Sequence, residues 1–124
     1  MATTIQAIPA QVNLDLYQGD DFTMTLTVTN PDGSEADLTD AIIAAQVRKT
    51  PPDETVIARF TPAHSVNVIT LWLPGAESAK LGATQAWDCD MTDAGGRITT
   101  LVYGTLTAKS EVTRGVGEVV TPGG

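Results

Sequence analysis

Apolar and polar residues alternate in twos along most of this chain. The clearest case is Phe22 to Thr29, where Phe22, Met24, Leu26 and Val28 alternate with Thr23, Thr25, Thr27 and Thr29. That period predicts a strand with one apolar and one wet face, and the β-branched threonines suit the wet one. Gln11 to Tyr17 repeats the pattern, with Val12, Leu14 and Leu16 set against Asn13 and Asp15. Further strands are predicted over Ala41 to Lys49, over Val56 to Phe60 with Pro62 as its end, and over Ser65 to Leu73. The last is apolar on both sides where Ile69, Leu71 and Leu73 oppose Val68 and Trp72, so it is expected deep in a sheet. Gln85 to Thr107 reads as two long strands around Asp93-Ala94-Gly95-Gly96. Trp87, Cys89 and Met91 alternate with Asp88 and Asp90 in the first, and the second is partly apolar on both sides, so it is expected either centrally in its sheet or bent at Gly104.

Turn residues punctuate these runs. Gln18-Gly19-Asp20-Asp21, Asn30-Pro31-Asp32-Gly33 and Thr50-Pro51-Pro52-Asp53-Glu54 each interrupt a ladder, because glycine admits positive φ and proline lacks the donor. Pro74 to Gly82 has an early proline, central Ala and Glu, and a glycine just past Leu81, which predicts one short helical turn with Ala79 or Leu81 plugging an end of the fold. The expected fold is therefore all-β, an immunoglobulin-like antiparallel β-sandwich of about seven strands with one short helical turn at Pro74 to Gly82. A small barrel is the alternative. The bridging cysteines of antibody domains are absent. The sandwich is bounded at residues 11–114, between an extended N-terminal arm at 1–10 and a Gly-rich C-terminal tail at 115–124.

Composition adds limits to this picture. At 124 residues the chain fits a single domain able to bury a core without metals or disulfides. The single cysteine, Cys89, has no intrachain partner and is expected as a small buried hydrophobe. A net charge of −8 disfavours a phosphate grip, so no nucleic-acid partner is expected, and no apolar run reaches the length of a membrane span. The acids are unevenly spread. No Lys or Arg precedes Arg48, whereas Asp15, Asp20, Asp21, Asp32, Glu35, Asp37 and Asp40 do, which suits either solvated turns or a basic partner surface.

Catalytic and metal chemistry find little support. His64 is the only histidine, the serines fall in connectors without a G-x-S-x-G pattern, and zinc would need more Cys or His than the chain has. Asp88, Asp90 and Asp93 invite a calcium reading, but Thr92 stands where an EF-hand loop needs an acid, and strand carboxylates facing solvent are the expected reading. Gly95-Gly96 closes a hairpin and precedes no helix, so it is no phosphate loop. Trp72, Trp87 and Tyr103 are expected as core, with an aromatic platform for sugars as the alternative. No enzyme, no cofactor and no metal site is expected.

Tyr17-Gln18-Gly19-Asp20-Asp21-Phe22, the alternating threonines, Asn30-Pro31-Asp32-Gly33, Asp37-Leu38-Thr39, the Pro74 to Gly82 turn, Trp87-Asp88, Thr92-Asp93-Ala94-Gly95-Gly96-Arg97 and Glu111-Val112-Thr113-Arg114 together resemble small virion domains of tailed bacteriophages. The group is similar to capsid decoration and minor capsid proteins and to the N-terminal β-sandwich of siphophage upper-baseplate proteins. The resemblance spans about Gln11 to Arg114 and rests on turns and core positions. It implies a non-enzymatic structural protein of the virion, assembled in the host cytoplasm. A capsid decoration or minor capsid protein that stabilises the shell is the expected role, because only a ten-residue tail follows the domain. A tail-tip or baseplate component and a carbohydrate-binding module on the virion surface are the alternatives. The implied partners are the major capsid protein or other virion proteins and further copies of the chain. Ile5 and Ile8 in the arm, Asp20 and Asp21 in the first turn, and Val116 and Val119 in the tail are the expected contact residues, with the arm adding to a neighbour's sheet edge.

Overall fold

The computed structural model describes residues 2–5, 9–30 and 32–110. The described residues form ten strands and one short helix: β1 Ala2–Ile5, β2 Ala10–Gln11, β3 Leu14–Tyr17, β4 Phe22–Val28, β5 Ile42–Arg48, β6 Val56–Arg59, β7 Thr61–Ser65, β8 Val68–Leu73, α1 Gly75–Ser78, β9 Thr84–Thr92 and β10 Ile98–Lys109. They make two sheets. One runs β1-β4-β8-β7; the other runs β2-β10-β9-β5-β6, with β3 also paired to β10. Between the sheets, Met24, Leu26, Ile69, Leu71 and Leu73 of the first meet Val47, Trp87, Cys89, Val102 and Leu106 of the second. The fold is the expected all-β sandwich with one short helix.

Several details differ from the expectation. The sheets are mixed rather than antiparallel, because β1 pairs with β4, and β2 and β3 with β10, in parallel. Gln11 to Tyr17 is split at Val12-Asn13 into β2 and β3. Pro62 does not end a strand but lies inside β7, an edge strand, where its missing donor costs no ladder bond on the open side. The chain changes sheets at Phe60, which is buried and donates its N–H to the Ala45 carbonyl at 3.0 Å.

Ser65 to Leu73 also breaks, at Val66-Asn67, into the turn that joins β7 to β8. Val66 takes a φ of 50°, which is costly for a β-branched side chain. The turn is held there because the Leu38 N–H bonds the Val66 carbonyl at 2.7 Å and the Val28 N–H bonds the Asn67 carbonyl at 2.8 Å. Within Pro74 to Gly82 the helix is a single turn, and Leu81, not Ala79, is the buried plug.

Candidate functional site

Those of the expected contact residues that are described do not share one end of the fold. Asp20 and Asp21 sit in the turn before β4, while Ile5 stands in register with Val28 at the other end of that strand, about 20 Å away at the usual rise per residue. Ile8, Val116 and Val119 lie outside the described residues. Of the segment expected as a free arm, Ala2–Ile5 is paired within its own chain as β1, so its removal would open the edge of β4. Truncation there is no clean test of partner binding.

The β3–β4 turn is committed to the fold. Asp21 Oδ1 accepts the Gly75 N–H at 2.6 Å, and the buried Ser78 hydroxyl accepts from the Gly19 N–H at 2.9 Å while donating to the Asp20 carbonyl at 2.7 Å. Gly75 is needed for this approach, since a Cβ there would lie 2.5 Å from the Gly19 carbonyl oxygen. Other loop acids serve their own turns. Asp32, Asp37 and Asp53 each accept an N–H two residues ahead, and Asp93 takes those of Gly95 and Arg97. Hydrogen bonds from Ser34 and Thr39 hold the Asp32 and Asp37 carboxyls below the usual range.

Cys89 and His64 lie in different sheets. Burial first, then the nearby Asp90 and Asp88 charges, push the Cys89 thiol up to about 12, so it carries no thiolate at neutral pH. Among the described residues no three His, Cys, Asp or Glu side chains converge as a metal site. The aromatic residues disperse. Trp87 is core, as expected, but Trp72 and Tyr103 are 43% and 45% exposed on the outer faces of opposite sheets, so they share no platform.

What the register does assemble is a surface on the outer face of β5, β9 and β10. Cross-strand pairing places Ile42, Thr92 and Ile98 in one row, Ala44, Asp90 and Thr100 in the next, and Gln46, Asp88 and Tyr103 in a third. Ile42 and Ile98 are each 69% exposed, so the apolar end of this face is open. Its other end is a depression lined by Gln46, Arg48, Pro51, Asp88, Asp90 and Tyr103. Arg48 is occupied by neutral partners, donating to the Asp53 carbonyl at 2.7 Å and to Gln46 Oε1 at 3.0 Å. Asp90 Oδ1 is buried and has no hydrogen-bond partner among the described residues. Asp88 is raised above its ordinary value by burial and by the Asp90 charge, with Arg48 acting against them.

Burial makes the charged form of Asp88 unfavourable in the folded chain. Folded Asp88 keeps its proton to higher pH than the unfolded chain does, so its contribution to stability is fully present below 3.8 and is lost as pH rises through the folded value. Asp88→Asn removes that loss. Its melting temperature should exceed the wild type's at neutral pH and converge with it below the ordinary value; equal melting at all pH would contradict the assignment.

Sequence reasoning missed the isoleucines. Ile42 turns outward because Ile43, Ala45 and Val47 are the inward set of β5. Ile98 faces the same way because β10 carries a bulge between Thr100 and Val102, which leaves both Leu101 and Val102 buried and reverses the phase on either side. That bulge, rather than a central position alone, is why β10 is apolar on both sides.

No protein-family model matches the chain. No curated protein matches it either. Among solved structures it is similar to the N-terminal domain of phage TP901-1 ORF48, with a TM-score of 0.57 and 9% identity, over 88% of this chain and 99% of that one. At that identity the likeness establishes a shared fold.

Proposed function

We propose that the protein is a non-enzymatic structural component of a bacteriophage virion. The observation that carries this is the shared fold with a phage domain, matched over nearly its whole length, which agrees with a turn-and-core resemblance pointing independently to tailed-phage virion domains. Within the particle the protein is a capsid decoration or minor capsid protein, its partners the major capsid protein or other virion proteins. A tail-tip or baseplate position is the second reading, favoured by the similarity to an N-terminal domain of a phage protein. Mass spectrometry of separated heads and tails distinguishes the two, and absence from both sinks the proposal.

The face of β5, β9 and β10 is the docking surface this reading assigns. Its exposed Ile42 and Ile98 supply apolar contact, and Asp88 with Asp90 supply the charge that selects a basic residue on the partner. Ile42→Asp combined with Ile98→Asp should change stability by less than about 1 kcal/mol, since both side chains are largely in solvent. Occupancy on particles should fall by roughly an order of magnitude or more. Particles that retain wild-type occupancy of the double variant would rule this face out.

A further inference from the structure

The outer face of the four-stranded sheet is chemically unlike the rest of the surface. Register sets its outward residues in three rows: Thr23, Trp72 and Thr61; Thr25, Thr70 and Ala63; Thr27, Val68 and Ser65. None of these is charged, in a chain with fifteen acids and seven bases. Trp72 is 43% exposed in the first row, and β1 widens the sheet beyond β4, with Ala2 and Thr4 in register with Thr25 and Thr27.

We infer that this face is a homotypic contact, packing against the same face of a second copy of the chain. Two chains of net charge −8 repel each other, so a contact between copies is favoured where neither brings a carboxylate. The opposite face presents Asp88 and Asp90 and is poorly suited to packing on itself. The threonine face has the converse property. A hydroxyl both donates and accepts, so a threonine array is its own complement about a two-fold axis, and β-branched side chains lose little rotamer freedom when packed. A basic partner would find no charge here. Depletion of charge around an exposed tryptophan is also what the centre of a protein interface looks like.

The size of the face sets the strength. The three strands β4, β8 and β7, about 4.8 Å apart and about six residues long, make a patch roughly 15 by 20 Å, near 300 Å² per copy. Two such patches bury less than the ~1,200 Å² of a standing dimer. The contact is therefore weak between free chains and effective where copies are held side by side, as a tethered second contact is.

The test uses the purified full chain and so stands apart from the virion reading. Sedimentation equilibrium from about 10 µM to about 1 mM should show the average mass rising from that of a monomer towards twice that value. Over the same range the amide resonances of Thr25, Thr27 and Thr70 and the Trp72 indole N–H should shift, while those of Asp88 and Tyr103 stay fixed; this needs no variant. Thr25→Asp and Thr25→Lys should each weaken self-association by roughly tenfold, and an equimolar mixture of the two should restore it. Thr105→Asp, exposed on the opposite sheet, should change it little. A chain that stays monomeric at the highest concentration overturns the inference, as does a mixture that fails to recover. Loss of Thr25→Asp from particles with a monomeric wild type would assign the face to a different protein and equally overturn it.

Discussion

Trp87→Ala will destabilise the protein by about 3 to 5 kcal/mol, a large share of the roughly 5 to 15 kcal/mol that holds a domain together. Trp87 is 2% exposed and lies 5.7 Å from Phe60 between ring centroids, where the chain crosses from one sheet to the other. Removing it opens a cavity at the junction of β5, β9 and β10. A second term is polar. The indole N–H donates to the Val12 carbonyl at 2.8 Å, at the point where β2 breaks from β3 and the parallel ladder with β10 is interrupted. Trp87→Phe keeps much of the packing and loses that bond, so it should cost about 1 to 3 kcal/mol. Urea unfolding of both variants separates the terms. Equal losses would mean that the indole and its hydrogen bond carry the whole effect and that the ring packing kept by Phe contributes nothing.

The second large effect is expected at Gly104→Ala. A Cβ at Gly104 would stand 2.0 Å from the Val12 carbonyl oxygen, 2.7 Å from its carbon and 2.9 Å from Asn13 Oδ1. No positive φ is involved, since the glycines with positive φ are Gly19, Gly33 and Gly96. The need is for space. Val12 tips its carbonyl over Gly104 to reach the indole, and Asn13 Oδ1 then accepts the Thr105 N–H at 3.1 Å in place of a backbone partner. One methyl group forces both contacts apart. The cost should be about 3 kcal/mol, at the upper end for overpacking, because the obstructing atoms are mostly backbone and cannot rotate away. If Gly104→Ala melts like the wild type, the Val12 crossing is not fixed as described. The double variant Trp87→Phe with Gly104→Ala should cost less than the sum of the singles, since both disturb the same carbonyl.

Much of the fold was legible because alternation is a local property. The phase of Phe22 to Thr29 or of Trp87 to Met91 fixes both the strand and its inward face, and the turn residues at Gly19, Gly33 and Gly95-Gly96 mark where ladders stop. Elements were misread where a long-range contact overrides that local signal. Pro62 is acceptable because β7 has an open edge, and Val66 takes a strained turn because Leu38 pins its own carbonyl and Val28 that of Asn67. Trp72 lies on a strand whose inward set is already filled by Ile69, Leu71 and Leu73, which leaves it outside.

The two faces proposed for contact were not legible at all. Ile42 and Ile98 are 56 positions apart in the chain and meet in one row only through Thr92, which pairs with both. The threonines of β4 announce a wet face, but not that Thr70, Thr61 and Ser65 extend it without a charge. The sequence by itself determined which segments are strands, that they close around an apolar interior, and that Cys89 and Trp87 belong inside it. Tertiary structure alone decided strand order, the parallel pairings, the bulge at Leu101 and hence the composition of each outer face. The reason is physical: a period of two is written into neighbouring side chains, whereas register is set by pairing between segments far apart in the chain, and a slip of one residue would exchange every inward side chain for an outward one.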